Sequence, residues 1–336
     1  MTDQNSTDPE PDETPYVDDY LSRNEGIVLS SSTVRTYRYR LQQYVRFLTE
    51  NETTVLDAEL DDVVAFIERC VRRGNRESTL SGKLTAIEQL YRHIKLKTDA
   101  ADDLRLEPLE LEAINLGQYN TPPALERVAL TREEVRRLFD AMDSYRNRLL
   151  AVTATETGLR NSDLRELLVC DVVFDELMIH VRNPKNEKPY DVPISRDLGF
   201  ELEWWLGGRR EAFTTASESQ YLFPGQNSPK LETNSGLNRI IKTAAEKADL
   251  QDIIGVSRVK EEARSATDSS VSERRWHRVT PHTLRHTYLT LLKDAHVPLP
   301  YRQLVANHTS PETTRGYTHG EDGAFQTIRD RFDPPR

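Results

Sequence analysis

Cysteine is scarce in this chain: Cys70 and Cys170 are the only two in 336 residues, and neither belongs to a CxxC pair or a Cys/His cluster. A disulfide framework and a structural zinc site are therefore not expected, and the usage fits a reduced, cytoplasmic setting. No apolar run approaches the about 20 residues that a helix needs to cross a bilayer, so no membrane partner is expected. The opening stretch MTDQNSTDPEPDETP has neither a basic start nor an apolar core, unlike a secretory signal. A P-loop and a clustered carboxylate site are missing too, so neither ATP nor a metal or other cofactor is expected.

Net positive charge is also lacking. The formal charge of -10 argues at first against a nucleic-acid partner. Its distribution weakens that objection. Residues 1–30 hold eight acids and one base, leaving a net of only -3 for the rest of the chain. Net charge governs solubility and long-range steering, whereas a local basic cleft can still hold a phosphate backbone.

Residues 1–15, rich in Pro, Asp and Thr, read as a disordered acidic tail. Residues 16–112 carry apolar positions at three- and four-residue spacing in four short segments. Tyr16, Val17, Tyr20 and Leu21 mark the first, Val34 to Leu48 the second. Val63 to Ile67 begin the third, which stops at Gly74, and Leu80 to Ile94 line the fourth. The pattern predicts a small helical domain. Its basic residues cluster, with Arg35, Arg38, Arg40 and Arg46 in the second segment, Arg76 at a loop and Lys83 in the fourth. Such clusters form a solvated helix face as readily as a DNA-contacting one, and a phosphate chemistry elsewhere in the chain would favour DNA.

Residues 113–127 contain Gly117, Pro122 and Pro123 without periodicity and read as a linker. The remainder, 128–336, opens on a capping box, Thr131 with Glu134, ahead of Val135, Leu138 and Phe139. An apolar segment from Asn147 to Thr157 predicts a buried helix that ends at Gly158, with Ser162 available to cap the next one. In LMIHVRNPKNEKPYDVPI, residues 177–194, two alternating runs flank a polar turn, which predicts a hairpin with Lys185 and Lys188 at its tip. Trp204 and Trp205 read as packed side chains. The polar stretch 251–277 reads as a long loop or partly helical insertion, whose Arg274, Arg275 and His277, with Arg278 just after, could line a cleft.

The densest chemistry lies between Thr280 and His319. His282, Arg285, His308 and Tyr317 provide two rings, a guanidinium and a phenol. A guanidinium fork matches phosphate oxygens two at a time, and a phenol can attack phosphorus. Each side chain alone is more often a surface or core residue. Together, TGLR, the hairpin lysine, HTLRH, NH and TTRGYTH stand in an order and spacing that resembles the tyrosine recombinases, the phage integrase family, and most closely their Xer-like members.

The resemblance covers nearly the whole chain and implies a mainly α protein with the DNA breaking-rejoining enzyme fold. It would pair an N-terminal helical core-binding domain with a mostly α catalytic domain carrying a small β-hairpin. It implies Arg160 and Arg285 on the phosphate, Asp163 supporting Arg160, and Lys185 as general acid. His282 and His308 would assist, and Tyr317 would be the nucleophile. Here Lys185 lacks the flanking glycines of the family pattern, and Asn307 replaces the glycine before His308. Tyr288 and Tyr301 fall where a helix would turn them inward. Double-stranded DNA and a tetramer on it are the implied partners, and the segment around Ala324, Phe325, Ile328 and Phe332 is expected to dock on a neighbouring protomer. Two other readings stay open: an architectural or regulatory DNA-binding protein with little recombination, and a strand-relaxing topoisomerase.

Overall fold

The protein, seen in a computed structural model, is described over residues 15–125, 128–182, 189–258, 273–307 and 321–336. The expected acidic tail, Lys185 and Lys188, and the His308 to His319 stretch lie outside these residues. The chain divides into two compact units, Met1–Ala124 and Leu125–Arg336.

Four helices build the first unit: α1 (Pro15–Asn24), α2 (Ser31–Glu50), α3 (Leu60–Arg72) and α4 (Glu77–Lys97). Ser30 caps α2, its hydroxyl accepting the Thr33 amide at 3.3 Å. Tyr44 and Tyr91 reach one another across the core at 2.9 Å, and the Tyr91 hydroxyl donates to the Val55 carbonyl, so two buried phenols satisfy each other and a loop. Their burial holds both phenols above the ordinary tyrosine range. Asp19 of α1 meets His93 of α4 at 2.8 Å. The fourth helix starts at Glu77 with Arg76 in the cap position.

Two expectations change in this unit. Residues 113–124 do not hang as a linker here: Ile114, Leu116 and Tyr119 pack against the same core as Leu111. Lys83 does not face outward either. It is 6% exposed, with its Nζ 2.6 Å from the Gln43 side-chain oxygen and 3.2 Å from Cys70 Sγ, over the Phe66 ring. A lysine so placed serves the bundle and is withdrawn from the DNA-facing set. Arg35 stays exposed. Arg38 pairs with Asp18 at the surface.

In the second unit α5 (Arg132–Asp140) leads to α6 (Tyr145–Thr157), whose residues from Arg146 onward are nearly all buried. Thr153, Thr155 and Thr157 survive in that apolar setting because each hydroxyl donates to the carbonyl four residues back. After α7 (Asn161–Glu166) a small antiparallel sheet follows, β1 (Val172–Val173), β2 (Met178–Val181) and β3 (Tyr190–Pro193), with β2 central and Ile179 opposite both Val172 and Val192. The hairpin was legible; the short β1 was not. Then come α8 (Arg196–Trp204), α9 (Asn234–Lys247), β4 (Ile253–Arg258), β5 (Glu273–His277), α10 (Pro281–Asp294), α11 (Leu299–Ala306) and α12 (Glu321–Arg331). Residues 251–277 thus contribute a two-stranded ribbon, contrary to the loop or helical reading. Trp205 is buried, but Trp204 is exposed with Arg209 stacked on its ring at 3.5 Å.

The last described segment packs on its own domain. Ala324, Phe325, Ile328 and Phe332 are buried in the core of the second unit, in the single chain, where docking on a neighbour was expected. Arg336 completes the closure. Its guanidinium lies 2.6 Å from Glu156 and 2.9 Å from Glu201, and donates to the Ser195 hydroxyl. Glu156 is 2% exposed, and burial pushes its carboxyl from the ordinary 4.5 up to about 7, with Arg336 and the Ser195 hydroxyl pulling the other way.

A raised folded pKa stabilises below the unfolded value and loses that contribution as pH rises. Urea melts should therefore show stability falling between about pH 4.5 and about 7, and Glu156→Gln should flatten that window. Arg336→Ala should cost about 3–5 kcal/mol above the window, where it strands a buried carboxylate, and clearly less below it, where the carboxyl keeps its proton.

Candidate active site

Gly158 ends α6 in the left-handed conformation, φ 63°. A side chain there would be strained by the backbone and would also meet the Tyr288 ring, since a Cβ would lie 2.4 Å from Tyr288 Cδ1. The turn that follows sets Arg160 at the cap position of α7, so Ser162 is not the cap; its hydroxyl donates to Asp163 instead.

Arg160 donates to the Asn307 carbonyl at 2.9 Å and stands 3.9 Å from Asp163. Asp163 is 3% exposed. Burial raises its carboxyl pKa above the usual range, opposed by the Ser162 hydroxyl, by Arg160 and by Tyr190, whose hydroxyl donates to it at 3.3 Å. Asp163 thus stands at the edge of ion-pair distance from Arg160, with its own ionisation disfavoured by burial.

Arg285 sits on α10, 6% exposed. Its guanidinium donates to the Gly158 carbonyl at 2.6 Å and to the Ala306 carbonyl. The two arginines thus hook onto adjacent carbonyls at the end of α11, where Asn307 caps the helix at φ 44°, a conformation asparagine tolerates better than most residues. The substitution of Asn for the family glycine is accommodated by the same backbone geometry.

His282 lies in the first turn of α10, after a Thr280–Thr283 cap and Pro281, and is exposed toward the cleft. Arg160, His282 and Arg285 line one cavity of about 660 Å³. Among its seventeen described lining residues there is no aspartate or glutamate, while Arg160, Arg285, Lys242 and Arg275 bring four cations. A larger hollow of about 850 Å³ borders α12, where Asp175, Glu176 and Asp330 offset Arg196 and Arg329, so its lining lacks the cationic excess of the first.

Arg275 and His277 line the cleft, as the sequence suggested. Arg278 does not: it pairs with Glu134 at 2.6 Å and bonds the Leu250 carbonyl. Arg274 has no described side chain. Sequence reasoning missed Asn234, Asn238 and Lys242, which line the cleft from α9. Their spacing of four residues, in a stripe flanking buried Leu237, Ile241 and Ala245, was the available signal. Among the described residues no group of His, Cys, Asp or Glu is arranged to hold a metal ion, and no helix is long and apolar enough to cross a membrane.

Two arginines anchored to backbone and a histidine, in a cleft with no acid among its described lining residues, form an arrangement able to hold an anion. The model of the phage integrase family matches residues 129–323, and that of the phage integrase N-terminal SAM-like domain matches residues 18–97. The chain belongs to the phage integrase family. Its relatives include the tyrosine recombinase XerA of Pyrococcus horikoshii, 25% identical over 291 residues spanning 86% of this chain and 83% of that protein. The tyrosine recombinase XerD of Haemophilus influenzae is 21% identical over 311 residues, 91% of this chain and 93% of that one. The fold is shared with a lambda integrase dimer bound to a COC′ core site (TM-score 0.63, 15% identity, 90% and 96% coverage). It is also shared with the XerH recombinase bound to a palindromic difH substrate (TM-score 0.61, 19% identity, 85% and 76% coverage).

Tyr288 offers a check on the site. It is fully buried, burial raises its phenol pKa, and its hydroxyl has no hydrogen-bond partner among the described residues. Tyr288→Phe should leave DNA cleavage intact and stability within about 1 kcal/mol of wild type, because it deletes an unsatisfied buried group. Gly158→Ala should cost about 3 kcal/mol or more, combining backbone strain with overpacking. Chemical melts and a cleavage assay on both variants test this.

Proposed function

We propose that the protein is a site-specific DNA recombinase that cuts and rejoins duplexes through a 3′-phosphotyrosyl intermediate. The observation that carries the reading is the Arg160–Arg285 pair, held by backbone carbonyls in a cleft without carboxylates among its described lining residues, inside a chain of formal charge -10. Preorganised donors of this kind stabilise the charge that gathers on non-bridging oxygens as phosphorus becomes pentavalent.

Tyr317 is the proposed nucleophile. Its oxygen attacks phosphorus, its proton passes to His282, and the bond to the 5′ oxygen breaks. Lys185 delivers a proton to that leaving oxygen, and His308 donates to the phosphate. The ester is retained in the enzyme–DNA bond, so a 5′ hydroxyl of another strand can reverse the step without ATP or metal. Asp163 holds Arg160 in place. Arg35, Arg38 and Arg76 remain the backbone-contact candidates of the helical unit, with Lys188 beside the catalytic lysine. Exchange between two duplexes needs four active sites, and the proposed assembly is a tetramer on double-stranded DNA.

Nicked suicide duplexes in the presence of a chelator provide the test. Wild type should form a covalent adduct, Tyr317→Phe none, and Arg160→Ala or Arg285→Ala should slow it by about 10²–10³. Strand exchange between two sites separates a recombinase from a topoisomerase. DNA binding with no adduct would overturn the enzymatic reading in favour of an architectural role.

A further inference from the structure

Arg160 and Arg285 donate to the carbonyls of Gly158, Ala306 and Asn307, all of which lie outside the ribbon β4–β5. It nevertheless forms one wall of the same cleft, through Ile254, Arg275, Trp276 and His277. Beside these residues the strand pairing is irregular. Val256 lies opposite Arg275 and Gly255 opposite Trp276, but the register then shifts, so that Ile253 rather than Ile254 lies opposite His277. Ile254 is the extra residue of a β-bulge. Bulges bend a strand and re-aim its side chains, and here the bulged residue itself faces the cleft.

The facing wall comes from α9, where Lys242 lies on the stripe shared with Asn234 and Asn238. Lys242 has one carboxylate nearby, Glu246 at 3.9 Å, with both side chains about half exposed. An i,i+4 pair of that kind is worth only about 0.3–0.5 kcal/mol, and an arriving phosphate displaces it readily. The cavity also exceeds the needs of a single phosphate. About 660 Å³ falls within the range of roughly 300–1,000 Å³ that accommodates whole small-molecule ligands.

We infer that Arg275 and Lys242 form a second anion subsite in this cleft, taking the phosphodiester next to the scissile one, with Trp276 and Ile254 as the apolar wall against the intervening nucleotide. The inference rests on the recombinase reading and deepens it. The insertion is a positioning device: it fixes which phosphate of the strand reaches the arginine pair. Arg275 and Lys242 touch the DNA but not the reacting atoms.

Salt dependence of binding to a fluorescent duplex of arbitrary sequence reads the subsite directly. Each phosphate left unneutralised lowers the slope of log K against log salt by about 0.9, so the Lys242→Ala/Arg275→Ala double variant, which empties one phosphodiester subsite, should lose roughly 0.9. Lys247→Ala, at the far end of α9 where it pairs with Asp143, should leave the slope at the wild-type value. On a nicked suicide duplex at saturating concentration, the double variant should still form adduct but with relaxed choice of the cleaved phosphate. Arg160→Ala should instead lose the adduct while losing no more than one contact's worth of slope. An unchanged slope in the double variant, with wild type forming adduct, overturns the subsite and leaves the recombinase reading standing. Wild type that binds but forms no adduct overturns that reading, and the slope still decides whether the two cations hold phosphate. Absence of wild-type binding overturns both.

Discussion

A guanidinium donating to two backbone carbonyls from different parts of the chain is the constraint on which the second unit depends. Arg285 reaches Gly158 at the end of α6 and Ala306 at the end of α11, joining three helices at one charged group. Carbonyl dipoles are the right partners for a cation meant to bind an anion. They satisfy N–H donors and fix the plane of the fork without adding a negative charge of their own. A carboxylate would have satisfied the same donors and cancelled the charge. Arg160 follows the same logic: it donates to the Asn307 carbonyl, and Asp163 stands back at 3.9 Å with its own ionisation disfavoured by burial.

That local rule reconciles an acidic protein with a DNA partner. The acids of this chain are not excluded from the second unit; they ring the hollow beside α12 and pair with surface cations. They are absent from the described lining of the one cleft that holds the arginine pair. Over a Debye length of about 8 Å at physiological salt, a phosphate inside that cleft responds to its walls far more than to the charge of the whole chain. The formal charge was therefore a weak guide to the partner.

What could be read in advance was set by local physics. The Thr131–Glu134 capping box forms reciprocally, with the Thr131 amide 2.8 Å from the Glu134 carboxylate and the Glu134 amide 3.2 Å from the Thr131 hydroxyl. Gly158 is left-handed as a glycine after a buried helix should be. These signals live within four residues. The misread features are tertiary. Lys83 is polar by type, but its burial depends on Gln43 forty residues away. Residues 251–277 have no clean alternation because the ribbon carries a bulge and one of its faces lines a polar cleft, so neither the strand pattern nor the helix pattern appears. Trp204 and Trp205 differ in burial because successive helical positions are about 100° apart, and a pair of adjacent large rings cannot both face one core. The motif residues His308, Tyr317 and Lys185 were legible as a family pattern, which is a statement about chemistry and carries no coordinates.

The helix α12 raises the question of how a tail that fits its own domain can serve a tetramer. Leaving would expose Ala324, Phe325, Ile328 and Phe332, and the three larger side chains are each worth about 1.5–3 kcal/mol of burial. It would also strand Glu156 without Arg336. A lone departure is therefore costly. Reciprocal exchange is different, since an identical helix from a neighbour restores every contact, and the balance is then decided by chain connection and protomer concentration rather than by the contacts. Glu156 lies two residues before Gly158, whose carbonyl holds Arg285. Occupation of the α12 site by either helix, own or neighbour's, thus keeps the end of α6 fixed. The burial seen in the single chain and the assembly proposed on DNA make the same demand on the setting of the arginine pair: the α12 site must be filled.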